Sequence, residues 1–158
     1  MKVREVKTAC NKVLSEAFEY PVYDTDTYDG YTRPALFTEL LTRRYHKDSA
    51  NKLTIAFTYK ITLLENEHSE ELCLDVVDGV SDAFGSGIKC GKYYILVDDI
   101  DYDWIDSNND ILQITIDFAE FTEIYVTYDD TPTMEEVDVR VVMKQTDAEE
   151  FDIHIEGV

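Results

Sequence analysis

The chain has 158 residues, 34 acidic and 14 basic, with a formal net charge of −20. That balance argues against direct sequence-specific nucleic-acid binding and against attachment to anionic membranes, since both rely on clustered cations. Hydrophobic residues still make up 44% of the chain, enough for the core of one folded domain and too many for a disordered acidic tail.

No apolar run reaches membrane-spanning length and no signal peptide opens the sequence, so a soluble protein that stays where it is made is expected. Cys10, Cys73 and Cys90 are odd in number and show no CxxC spacing. They read as reduced thiols in a reducing compartment, without a recognisable zinc pattern.

Residues 2–18 place Val3, Val6, Cys10, Val13, Leu14, Ala17 and Phe18 on one face of a helix that Pro21 ends. A short strand at 22–23 and a loop rich in Asp, Gly and Pro follow. Strands are expected over about 35–45 and 52–64, joined by the polar "HKDSAN" as a hairpin. In the second, Leu53, Ile55, Phe57, Tyr59, Ile61 and Leu63 alternate with mostly polar neighbours, the period of a half-buried strand.

Asn66 is the expected N-cap of a second helix over about 67–84, with Leu72, Val76, Val77, Val80, Ala83 and Phe84 as its core stripe. Gly85 or Gly87 should end it. Strands over about 92–104 and 111–128, joined by "DSNND", and another near 136–144 complete a meander. The order predicts an α+β fold: a mostly antiparallel β-sheet with two helices packed on one face. A domain over 1–144 and a C-terminal extension over 145–158 are expected, the latter carrying a possible added strand.

Chemistry is hard to find. Six aspartates fall between Asp98 and Asp110: Asp98, Asp99, Asp101, Asp103, Asp106 and Asp110. Four of them match positions 1, 3, 5 and 12 of a calcium loop, but Trp104 stands where that loop needs glycine and strands flank it. Alternation along a strand explains the spacing more simply. It predicts Tyr94, Leu96, Ile100, Tyr102 and Trp104 on one face and Asp99, Asp101 and Asp103 on the other, as a solvated or partner-facing edge.

"GSGIKCGKYY" has one residue too many for a phosphate loop and follows a helix, so it reads as a helix exit and turn. His46, His68 and His154 fall in no nucleophile motif and read as surface residues. No catalytic group, cofactor or metal site is expected.

In order and local pattern the chain resembles the tail terminator proteins of phages and phage-like particles of Gram-positive hosts. The likeness rests on "VREVKTACNKVLSEAF", "YPVY", "RPALFTELL", "KLTIAFTYKITLL", "HSEELCLDVVDGVSDAF" and "PTMEEVDVRV", and covers about residues 1–144. It implies a non-enzymatic virion protein, assembled in the bacterial cytoplasm. Such a protein forms a ring, usually hexameric, on the head-proximal end of a phage or bacteriocin-like tail.

The expected partners are its own copies, the tail tube protein, the sheath protein of a contractile tail, and a neck or collar protein. The aspartates are candidate interface residues. So are Phe151, Ile153 and Ile155, which alternate in the tail and suit a strand added to a neighbouring subunit or to the chain's own sheet. The alternative from another class is an acidic DNA mimic that inhibits a nucleic-acid-binding enzyme.

Overall fold

Alternation along residues 52–64 carries the fold. In strand β3 (Lys52–Leu64) the side chains of Leu53, Ile55, Phe57, Tyr59, Ile61 and Leu63 are all buried. The computed structural model describes residues 1–24, 30–106 and 111–124, and the backbone of strands at 136–141 and 151–156. Two compact units are present, Met1–Tyr125 and Val126–Val158.

In the first unit β2 (Ala35–Ser49) and β3 form the expected antiparallel hairpin. Bulges between Thr42 and Arg44 and between Lys47 and Ser49 let β2 run on through "HKDS", which the sequence reading had assigned to the connection. β1 (Val22–Asp24) pairs parallel with the start of β2. The remaining strands are β4 (Gly87–Cys90), β5 (Tyr93–Trp104), β6 (Leu112–Phe118) and β7 (Phe121–Ile124). The sheet order is β1-β2-β3-β6-β5-β4, with β7 also on β3.

Helix α1 (Val3–Ala17) turns Val6, Cys10 and Leu14 inward, and α2 (Glu70–Phe84) turns in Cys73, Val76, Val80 and Phe84. Both reach the same residue of β3. The Tyr59 ring lies 5.9 Å from that of Phe84, and its hydroxyl donates to Asn11 Oδ1 of α1 at 2.6 Å. The two helices therefore pack on one face of a mostly antiparallel sheet, as expected for an α+β fold.

Several boundaries differ from the sequence reading. Ser69, not Asn66, caps α2: its hydroxyl accepts the Leu72 N–H at 3.3 Å, while the Asn66 amide donates to the Arg33 carbonyl. Gly85 ends the helix at φ +50°, and Gly87 opens β4. A Cβ on Gly87 would lie 2.4 Å from the Ile95 carbonyl oxygen, so close strand approach requires glycine there. Gly91, at φ +59°, turns β4 into β5.

The expected strand at 111–128 is broken at Ala119–Glu120, because the Ala119 N–H turns to the Leu96 carbonyl at 3.0 Å. β6 and β7 then meet successive parts of β3. In the second unit β8 (Glu136–Val141) pairs antiparallel with β9 (Phe151–Glu156), placing Val137, Val139 and Val141 opposite Ile155, Ile153 and Phe151. The expected division at 144/145 falls between these two strands. β8 is paired with β9 and not in the main sheet, where the meander had put it.

A small polar network under α1 fixes that helix on the sheet. Asn11 Oδ1 accepts from Tyr59 and, at 3.1 Å, from Thr38, whose hydroxyl also lies 3.3 Å from the Tyr23 carbonyl. Thr38 and Tyr59 are fully buried, and burial pushes the Tyr59 phenol well above its usual range. Asn11→Ala strands the Tyr59 hydroxyl and leaves Thr38 only the Tyr23 carbonyl, so stability should fall by about 1–3 kcal/mol, read as a lower urea midpoint at unchanged m-value.

Candidate interaction surfaces

The aspartate-rich strand β5 changes phase part-way. Ile95 is buried and Val97 packs on the core, whereas Tyr94 and Leu96 are 55% and 54% exposed. Beyond the bulge between Val97 and Asp99, Ile100 and Trp104 pack on the core and Asp99, Asp101 and Asp103 turn away. The unbroken alternation expected from the sequence puts Tyr94 and Leu96 on the face of Ile100, Tyr102 and Trp104, which the structure corrects. Asp98 is the extra residue that shifts the alternation by one, so the two sets occupy opposite faces.

β4 covers only Tyr93–Leu96 of β5, so among the described residues no strand lies beyond Val97–Trp104 on that side. There the aspartates do more than carry charge. Asp99, Asp101 and Asp103 each accept, through Oδ1, the N–H of the residue that follows, at 3.0, 2.8 and 2.8 Å. Each carboxylate thus occupies a donor that an added strand would otherwise use, one way of blunting a sheet edge. Asp98 is exposed, and Asp106 lines a small cavity with Glu65 and His68. Asp110 lies outside the described residues. Phe151, Ile153 and Ile155 belong to β9, in the second unit.

A second surface has the opposite sign. A groove of about 880 Å³ runs between α1 and the β4–β5 turn and is lined by Lys2, Arg4, Lys12, Lys89 and Lys92. At its floor the Met1 ammonium meets the Glu123 carboxylate at 2.7 and 2.9 Å, and the Tyr93 hydroxyl donates to the same group at 2.5 Å. Glu5 also lines the groove and accepts the Lys2 N–H; with Glu123 engaged as well, the four lysines and the arginine dominate the groove's field. Its scatter along the chain, from residue 2 to residue 92, hid it from sequence reading.

A third surface is the far half of β2. Residues 41–50 are exposed, with Arg43 paired to Asp117 at 3.6 Å and Arg44 to Glu120 at 3.0 Å. Among the described residues no strand flanks β2 beyond Thr38 on its outer side.

Sequence reading also missed a cluster at the entry to α2. Glu65, His68 and Cys73 bring one ligand-type atom each to within 4.8 Å of one another. Cys73 Sγ donates to Glu65 Oε2 at 3.4 Å, and His68 Nδ1 lies 3.5 Å from the same oxygen. Burial, then Glu65, pushes the Cys73 thiol up to about 12. The only sequence signal was E-x₂-H-x₄-C, a spacing with no fixed meaning.

The family model for phage tail terminator proteins matches residues 5–133. The chain belongs to the phage tail terminator family. Among solved structures, this terminator is similar to a chain from the virion of a native gene transfer agent particle. That chain is 12% identical at TM-score 0.50, over 73% of this chain and 92% of the other. A second solved chain, also 12% identical, has TM-score 0.48 over 82% of this chain and 99% of the other. No curated protein matches. The family gives the terminator a structural role in a phage tail, in association with other tail components, as part of the virion.

Charge and hydrogen bonding at the terminator's β5 edge can be separated by experiment. Replacing Asp99, Asp101 and Asp103 with Asn keeps the side-chain acceptors and removes three negative charges. The triple variant should stay monodisperse, with Tm within about 2 °C of wild type, because like charge is lost opposite Asp117. The triple Ala variant frees the edge amides and should self-associate, seen as larger species by light scattering.

Proposed function

We propose that this terminator caps the head-proximal end of a tail as a closed ring, a hexamer, and so ends tube polymerisation. The observation that carries this reading is one subunit with two unlike surfaces: the basic groove beside α1 and the aspartate edge of β5. Two different patches that fit each other make a head-to-tail contact, which closes into a ring when the rotation allows. The aspartates Asp98, Asp99, Asp101, Asp103, Asp106 and Asp110 form or flank the acidic side of that contact. Repeated round the ring, they also face basic residues of tube or neck proteins.

In a contractile tail, of a full phage or a headless bacteriocin-like particle, the ring's further contact is the last sheath ring. Assembly takes place in the cytoplasm of the bacterial host. The β8–β9 hairpin, which carries Phe151, Ile153 and Ile155, supplies a second attachment. Two strands alone are marginal in water and gain most by joining another sheet or surface.

The test is assembly. Lys89→Glu with Lys92→Glu should reduce incorporation into tails at least tenfold, in a salt-sensitive way, and leave the isolated chain's Tm nearly unchanged. Adding Asp101→Lys and Asp103→Lys should restore much of it. Electron microscopy of tails made without the protein should show overlong tubes. Single copies on a finished tail, or normal tube lengths without the protein, would sink the reading.

A further inference from the structure

We propose that Glu65, His68 and Cys73 form a binding site for a zinc-class divalent cation. A tetrahedral ion with bonds of about 2.0–2.3 Å sets its ligand atoms about 3.3–3.7 Å apart. Two distances in the cluster already have that value: 3.4 Å from Cys73 Sγ and 3.5 Å from His68 Nδ1, both to Glu65 Oε2. The set combines thiolate, imidazole and carboxylate, which favours zinc or cobalt over magnesium or calcium.

A second observation points to a missing partner. The Glu65 side chain is only 6% exposed, and its Oε1 is buried without a hydrogen bond. An unpaired buried carboxylate oxygen is costly, and a cation held by both oxygens of the Glu65 carboxylate would satisfy it. The cavity alongside, about 230 Å³ and lined by Asp106 and Arg33 among others, leaves room for a water as fourth ligand. Arg33 and the N-terminal end of α2 oppose a cation, and Glu65 with Glu70 and Glu71 of the first helical turn offset them.

Binding exchanges the Cys73 proton for the metal: the S–H bond breaks, the S–metal bond forms, and the proton passes to solvent. The ion would join Glu65, the residue after β3, to Cys73 in the first turn of α2, with His68 from the link between them. None of this draws on the ring contact, so either idea can fail without the other.

His68 also packs its ring 5.5 Å from Trp104, the chain's one tryptophan. Binding therefore has an optical reporter beside it. The full chain, reduced and stripped with chelator, should bind one Co²⁺, develop a thiolate-to-cobalt charge-transfer band and lose much of its Trp104 fluorescence. Zn²⁺ should displace the cobalt and, at a hundredfold excess over Kd, raise Tm by roughly 5–10 °C. Mg²⁺ should do neither.

Cys73→Ala should abolish the band. His68→Ala, at a half-exposed position, should weaken binding at least tenfold. A wild type without the band, a band that survives Cys73→Ala, or unchanged affinity in His68→Ala would overturn the proposal.

Discussion

Hydrogen bonding along both edges of β3 is the constraint on which the rest depends. One edge is taken by β2 along its length, and the other by β6 and then β7. Strung between these partners, β3 cannot slip by one residue without turning six large apolar side chains away from the helices. Tyr59, near its middle, then holds both helices, packing against Phe84 of α2 and bonding to Asn11 of α1. The helices are placed by the strand, and the basic groove beside α1 is placed by the helix.

Regular elements were the legible part of the sequence. Strict alternation in β3 and β6 and the apolar stripes of both helices involve neighbours within a turn or two, so periodicity reports them. What escaped depends on departures from period. The apolar positions of β5 are odd-numbered at Ile95 and Val97 and even-numbered at Ile100 and Trp104. That change of phase marks a bulge, which a single unbroken alternation does not describe. The Ala119–Glu120 break escaped because Leu96, the partner of the Ala119 N–H, is distant in sequence. The Glu65–His68–Cys73 cluster is local, but nothing in its spacing says that Glu65 is buried.

Acidity in this terminator is not a uniform coating. Asp117 faces Asp99 across the β5–β6 pair, an unfavourable juxtaposition, and is held by Thr58 and Arg43. Asp99, Asp101 and Asp103 serve the backbone beside them, while Glu123 is spent inside the groove on the Met1 ammonium. These carboxylates have local roles that a net charge of −20 does not reveal. The same local bonding separates the two long flanks of the sheet: β5 is closed to another strand by its own side chains, and β2 is not.

The extra residue in β5 bears on how relatives of this chain can be compared. Asp98 stands outside the pairing, with Val97 and Asp99 opposite consecutive residues of β6. A relative lacking that single position would keep every later side chain of the strand on its present face and lose only the local bend. The same gap placed at Asp101 would invert the remainder, sending Tyr102 and Trp104 outward and Asp103 toward the helices. Along this strand, a one-residue difference in length is neutral at one place and ruinous a turn of the pleat later.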